Sequence, residues 1–391
     1  MAFSKVPSAA DQRLIDHAAR HGFTVTGKQL AGWRRAGLLP RNLPGGGLGR
    51  GLGSTSTPPS ESFDLVVALA RIAGRGKRSA DLALRLFAEG LPVPEATVRA
   101  AFRAAVDADP LPGEDEGTVD GLDPDERLDQ ISQRLADRGQ VLTLVPARAR
   151  RIDERITRAL GQLPPELLEL DKNSEAQPLT PKDATLTAVT ATIGGSVPLQ
   201  DIGAMLRAMS PAMAANPMAS HVETTQADVP EAAASVLAED GSLAFLPDGD
   251  PRDVLRALAD TAPLEDLAAG WHTAVQVREW ALDLCQRVED ELRAGQLGAA
   301  VEEWLHGRQL MSGLSVIATL REPRWTPSRG AVSALMWLFQ CQALAMLDNL
   351  LPGCQWHLLK IPGFAPTPVR DLILSKVVGP GTPSTAETTA V

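Results

Sequence analysis

The chain of 391 residues contains no tyrosine and only three cysteines. Cys285, Cys341 and Cys354 are odd in number and lie far apart, which excludes a disulfide scaffold and the CxxC pairs of a zinc finger. We therefore expect a reduced, cytoplasmic protein. The first residues also lack the long apolar run of a secretory signal, which agrees with that expectation.

Motifs of the common enzyme classes are also lacking. The six histidines fall in no HExxH spacing, and there is neither a GxSxG motif nor a Walker-type phosphate loop. The glycine run from 45 to 53 does not qualify, because no GK[ST] follows it. The sequence thus predicts no catalytic residue, no metal site and no cofactor, and it does not favour an enzyme.

What the chain does have is a strong division of charge. Residues 1–108 hold 15 Lys and Arg against 8 Asp and Glu, a net charge of +7. The remaining residues hold 23 against 40, a net of −17, so the overall charge of −10 conceals a basic head. This asymmetry is typical of a nucleic-acid-binding end joined to a body that avoids nonspecific contact with DNA.

The most informative stretch runs from Thr24 to Pro40 and predicts a short basic helix after a tight turn. Leu30 and Trp33 are three residues apart, so they share a face that can be buried against the preceding helix. Lys28, Arg34 and Arg35 are then expected to point outward. Thr24 or Thr26 is expected to cap the helix with its hydroxyl oxygen.

A glycine-rich loop with arginines at both ends follows this helix. Arg41 and Arg50 enclose it, and glycine allows the backbone to approach a phosphate closely. We interpret the loop as a wing whose arginines contact phosphates. Helical periodicity then predicts three further helices up to about residue 106.

This order of elements, with the turn Gly37-Leu38-Leu39-Pro40 after the basic helix, resembles the DNA-binding domain of the MerR family of transcription regulators over about residues 10–105. Gly32 and Trp33 stand where that family usually has two tyrosines. The resemblance implies a winged helix-turn-helix in which the basic helix enters the major groove. The residues expected to contact DNA are Thr24, Thr26, Lys28, Arg34, Arg35, Arg41 and Arg50.

The predicted fold is all-α, with the winged helix-turn-helix in residues 1–106 and a helical body behind it. The other predicted segments are an acidic linker (107–123), a partly irregular helical middle region (124–250), a tryptophan-rich helical domain (251–378) and a disordered tail (379–391). Within the middle region, a helix over 147–160 carries a cluster of arginines. Such a run is usually a solvated helix face, although contact with DNA backbone is an alternative.

Six of the seven tryptophans lie in the last predicted domain. Helices are predicted there over residues 253–260, 264–294, 297–320 and 329–351. The last of these is apolar almost all round, but its polar interruptions argue against a membrane span. It is interpreted either as the centre of a dimerisation domain or as the wall of a pocket for an apolar effector. The candidate contact residues are Met336, Trp337 and Phe339, for which plain core packing is the simplest alternative.

These patterns together predict a sequence-specific DNA-binding regulator of transcription, associated with the nucleoid. A homodimer is expected because one short reading helix rarely gives enough affinity alone. A small apolar effector or a protein partner is expected to act on the body. Two alternatives stay open: an accessory factor that bends DNA in recombination or replication, and a protein-interaction module that does not bind DNA.

Overall fold

The computed structural model describes residues 7–47, 54–74, 77–108, 146–162, 197–198, 242–243, 251–308, 310–321, 324–350 and 353–377. The described part is mostly helical, which confirms the predicted helical class. In chain order its helices are α1 (Ala9–Arg20), α2 (Gly27–Arg35), α3 (Glu61–Ile72), α4 (Ser79–Ala88), α5 (Glu95–Ala108), α6 (Ala147–Leu160), α7 (Pro251–Thr261), α8 (Leu264–Arg293), α9 (Ala299–Gly307), α10 (Met311–Arg321), α11 (Pro327–Leu350), α12 (Cys354–Lys360) and α13 (Thr367–Val377). Its strands are β1 (Leu43–Gly47), β2 (Ser54–Thr57), β3 (Val197–Pro198) and β4 (Ser242–Leu243), paired β1–β2 and β3–β4.

Two compact units account for the packing. The first unit comprises Met1–Pro110, Leu255–His272 and Trp325–Leu335, and the second comprises the rest of the chain. The first residues of α8 and of α11 therefore belong to the first unit, whereas the sequence places them in a separate domain over 251–378.

Short-range hydrogen bonds define the two ends of α1. The Ser8 hydroxyl accepts from the amide of Asp11, which caps α1. At the other end Gly22 has φ +83°, and the amide of Phe23 reaches back to the carbonyl of Ala18. A residue without Cβ adopts this left-handed conformation at little cost, so Gly22 is well suited to end α1.

A β-hairpin follows α2 at the predicted position of the wing. Leu43 lies opposite Thr57 and Pro44 opposite Ser56 in an antiparallel pair. The register shifts before the pair formed by Gly47 and Ser54. Arg50 lies in the connection, outside the described residues.

Contacts made by α4 and α5 explain why a segment distant in the sequence belongs to the first unit. Phe102 of α5 is fully buried between Phe87 and Trp271, with ring centroids 5.8 and 6.4 Å apart in edge-to-face arrangement. Arg99 donates to the carbonyl oxygen of Ala259 at 3.0 Å. Apolar packing and a hydrogen bond thus complete the first unit with residues that follow it by some 150 positions.

The second unit has a core shared by α6, α8, α9 and α10. Ile152, Cys285 and Trp304 are among its buried members. The carboxylate of Glu291 accepts from the amides of Gly298, Ala300 and Val301, so it caps α9 from the end of α8. Three charge-assisted bonds satisfy amides that helix geometry leaves without partners.

The prediction of a single helix over 297–320 is wrong, because α9 ends at Gly307 and α10 begins at Met311. A Cβ at Gly313 would collide with the carbonyl of Arg308, so the chain passes closely over itself there. Ser312 also bonds outside the helix, through its amide to the carbonyl of Phe364 at 3.2 Å and through its hydroxyl to that of Gly363. Helical periodicity continues across this break, so it gave no sign of it.

Core packing places two of the predicted effector or dimer residues. Trp337 and Phe339 of α11 are buried and Met336 is half-buried. This burial agrees with plain core packing, the simplest alternative in the sequence. No helix of the described ranges is both long and apolar enough to cross a membrane. The predicted acidic linker beyond residue 108, most of the middle region and the predicted tail lie outside those ranges.

Candidate nucleic-acid interface

The outer face of α2 carries cations on either side of small residues. Lys28, Ala31, Gly32 and Arg35 are exposed, and their spacing of three, one and three residues places them on one side of the helix. A Cβ built on Gly32 meets no atom within 4 Å. Glycine inside a helix costs roughly 1 kcal/mol of stability relative to alanine, so Gly32 does not stabilise the fold.

Arg34 differs from its neighbours, and the expectation that it points outward is wrong. Its side chain is only 16% exposed and contacts Asp11 at 2.6 Å. It also donates to the amide oxygen of Asn42 at 2.8 Å and to the carbonyl of Pro40 at 3.4 Å. We call Arg34, Asp11, Asn42 and the Pro40 carbonyl the Arg34 clamp. It ties α1 to the residues that lead from α2 into the hairpin.

The clamp leaves a signature on the ionisation of its carboxylate. Burial acts to raise the pKa of Asp11, but hydrogen bonds from Arg34, Ser8 and Asn42 together with the Arg34 charge lower it below the ordinary value. The ionised form of Asp11 is therefore favoured in the folded protein. A guanidinium held by a carboxylate in this way is engaged inside the domain and positions the helix.

The turn after α2 is fastened from the opposite side by α5. Gly37 has φ +71°, and a Cβ there would collide with the hydroxyl oxygen of Thr97. That hydroxyl donates to the Gly37 carbonyl at 2.9 Å. The turn also returns the amide of Leu38 to the carbonyl of Trp33 at 2.9 Å. The Gly-Leu-Leu-Pro turn is thus a junction between the two helix pairs.

The other predicted contact residues are distributed unequally. Thr24 and Arg41 are exposed on either side of α2 in the chain. Thr26 is exposed too, but its hydroxyl donates to the side-chain oxygen of Gln29 and accepts from the Gln29 amide, a reciprocal cap. The hydroxyl of Thr26 therefore begins the helix, as the sequence predicts.

A shallow pocket of about 260 Å³ lies in the same unit between α1, α3 and the end of α4. His17 and His21 line it with ring centroids 4.5 Å apart, and Asp64, Arg71 and Glu89 lie around them. The pKa of His17 is lowered by burial and by the charges of His21 and Arg20. The described residues contain no group of three or more His, Cys, Asp or Glu placed to hold a metal ion.

Sequence reasoning missed three residues that determine how the basic helix is presented. Asp11 and Asn42 hold Arg34, and Thr97 holds Gly37 across 60 positions. The sequence around α2 indicates its caps. It does not indicate the contacts of Asp11, Asn42 and Thr97, because these contacts form only when the chain folds. No family description, curated protein or solved structure matches the chain in the comparisons with known proteins.

Proposed function

We propose that the first unit is a MerR-like winged helix-turn-helix that binds duplex DNA, with α2 as the reading helix and the β1–β2 hairpin as the wing. The observation that carries the proposal is the outer face of α2. Lys28 and Arg35 stand about 10 Å apart along the helix axis, with Ala31 and Gly32 between them. Small residues let the helix backbone approach a groove while the cations reach phosphates and base edges.

Preorganisation supports the same proposal. The Thr26 cap, the Arg34 clamp and the Thr97 contact fix the two ends of α2 without using either outer cation. A side chain held on a rigid element loses less entropy on binding than one on a mobile segment. The helix is therefore presented in one orientation before any ligand arrives.

Charge also favours this partner. With Leu255–His272 and Trp325–Leu335 included, the first unit holds 17 Lys and Arg against 12 Asp and Glu. Its net charge of +5 contrasts with the chain's −10. A positive unit on a negative chain attracts the phosphate backbone, which supplies most of the nonspecific part of DNA affinity.

Regulation of transcription by a homodimer is the biological form of this proposal. A nine-residue helix spans about 13 Å, so one copy reads only a few base pairs. Two copies on paired half-sites would supply the specificity that a regulator needs. A factor that bends DNA at one recombination or replication site is the second candidate, and the positions of the bound sites distinguish it from a regulator.

The test is retention of sheared genomic DNA by the full chain, followed by sequencing of the retained fragments. We expect a few discrete sites, with binding weakened by salt. Lys28→Ala/Arg35→Ala should lower affinity by about tenfold or more, because each side chain that reaches a phosphate or a base edge adds to binding. Sites at promoters would support a regulator, and a single site would support the accessory factor.

The matched control is Arg85→Ala/Arg324→Ala, which removes the same charge from two other exposed positions. It should retain the wild-type sites and nearly the wild-type affinity. If both double variants lose binding equally, α2 is not the reading helix. If the wild-type chain retains no DNA, the proposal fails and a protein-interaction module becomes the better account.

A further inference from the structure

The helix α6 presents a second basic surface, in the second unit. Arg150, Arg151 and Arg158 are exposed on the side of the helix opposite the buried residues, and Arg155 is half-exposed at the edge of that side. Glu154 is the one carboxylate within that arc of the helix. We call these four arginines the α6 arginine face. It spans about 12 Å along the helix axis.

In the part of the second unit that the structure describes, these arginines lack the carboxylate partners that other arginines have. Arg148 binds Glu289 at 2.7 Å, and Arg287 contacts Asp283 at 2.7 Å and Glu303 at 3.0 Å. Among the described residues, none of the four guanidinium groups of the α6 arginine face forms an ion pair or a hydrogen bond. Within the described ranges these four guanidinium groups thus have no neutralising partner, although the net charge of the chain beyond residue 108 is strongly negative.

The opposite side of α6 holds the helix firmly in place. Ala149, Ile152 and Ile156 are each 1% exposed in the core of the second unit. At the flank, the Trp304 indole donates to the carboxylate of Asp153 at 2.5 Å. Burial raises the pKa of Asp153 and the bond from Trp304 opposes that rise. The four arginines therefore lie on a helix whose position in the second unit is fixed by its buried side.

The chemistry of the face favours phosphate over a protein surface. Protein interfaces depend on buried aromatic or aliphatic anchors, and the exposed large hydrophobic residues of the described chain are Leu43, Leu297 and Trp356, none of them on α6. Protein–DNA interfaces are more polar and much more positive. Guanidinium groups also bind phosphate oxygens through two parallel hydrogen bonds, which the ammonium of lysine does not do.

We propose that the α6 arginine face is a second DNA-binding surface, which contacts phosphates without reading sequence. The inference rests on the proposed function, because DNA must be the ligand of the chain for a second surface to add to its binding. The face then adds affinity and salt dependence that are equal for all sequences.

The test measures binding of the full chain to long mixed-sequence duplex DNA at several salt concentrations. The variant Arg150→Gln/Arg151→Gln/Arg155→Gln/Arg158→Gln removes the charge and keeps residues that favour a helix. We expect the slope of log Kobs against log salt to become shallower by about 0.9 for each phosphate that the variant no longer neutralises, up to about 3.6. Circular dichroism checks that the variant keeps its helical content.

A charge-conserving control replaces the same four arginines with lysine. It should keep the wild-type salt slope, with a smaller loss of affinity because lysine cannot form the paired hydrogen bonds. If the glutamine variant binds with the wild-type slope and affinity, the inference is overturned while DNA binding by α2 stands. Tighter binding by that variant would overturn it as well. Absence of binding by the wild-type chain would instead remove the proposed function itself.

Discussion

The helices α2 and α6 are both rich in basic residues, yet they use their arginines differently. On α2 the more buried of two adjacent arginines, Arg34, is engaged by Asp11 and Asn42, which leaves Arg35 exposed. On α6 only the first arginine, Arg148, has a carboxylate partner among the described residues. The role of an arginine therefore depends on which acceptors the fold brings within hydrogen-bond distance of its guanidinium group.

The consequence is practical for mutagenesis. Replacing Arg34 removes the Arg34 clamp together with any contact that this side chain makes with DNA. A loss of DNA binding in such a variant would therefore not show that Arg34 recognises DNA. Lys28 and Arg35 on α2 are exposed, and the α6 arginine face is exposed or half-exposed, without such partners in the part of the chain that the structure describes. Substitutions at these positions are expected to change DNA binding without changing folding, whereas substitutions in the Arg34 clamp are expected to change folding.

The largest effect is expected for Arg34→Ala. Its loss leaves Asp11 half-buried without its main partner, which should destabilise the first unit by about 2–3 kcal/mol. The adjacent Arg35→Ala should change stability by no more than about 0.5 kcal/mol, because that side chain is exposed. Hydrogen exchange of peptides from α1 and α2 measures both. Equal protection in the two variants would show that the clamp does not stabilise the domain.

A smaller effect is expected for Arg148→Ala on α6. The pair with Glu289 is less buried than the Arg34 clamp, since the two side chains are 29% and 24% exposed. We expect a loss of about 1 kcal/mol in the local stability of α6, again by hydrogen exchange. Arg151→Ala, its exposed counterpart, should leave the exchange of α6 unchanged. If Arg151→Ala is the more damaging of the two, our account of α6 has the wrong side facing solvent.

The smallest effect is the pH dependence of the clamp. The pKa of Asp11 is lowered in the folded protein, so its contribution to stability is complete above the unfolded value and declines as pH falls through the folded one. Exchange from α1 and α2 should therefore accelerate as the pH falls below the ordinary carboxyl value of 3.8, after correction for intrinsic rates. In Asp11→Asn that acceleration should be reduced. An identical acid response in both proteins would exclude Asp11 as its source.

Much of the local structure could be predicted from sequence. The Thr26 cap, the Gly22 stop and the bounds of α6 follow from propensities and spacing that act within a few residues. The break between α9 and α10 could not be predicted, because it depends on a close backbone passage at Gly313 and on bonds from Ser312 to residues about 50 positions away.

The candidate site divides in the same way. Charge and helical periodicity are properties of the chain, so they predict a basic, helical N-terminal part with a short cationic helix that begins at a capped turn. Three features follow from tertiary contacts and not from these patterns: Arg34 turns inward, Thr97 bonds to Gly37, and Trp271 packs into the first unit. Each of these outcomes depends on a partner between about 20 and 170 residues away in the sequence, and only folding makes them neighbours.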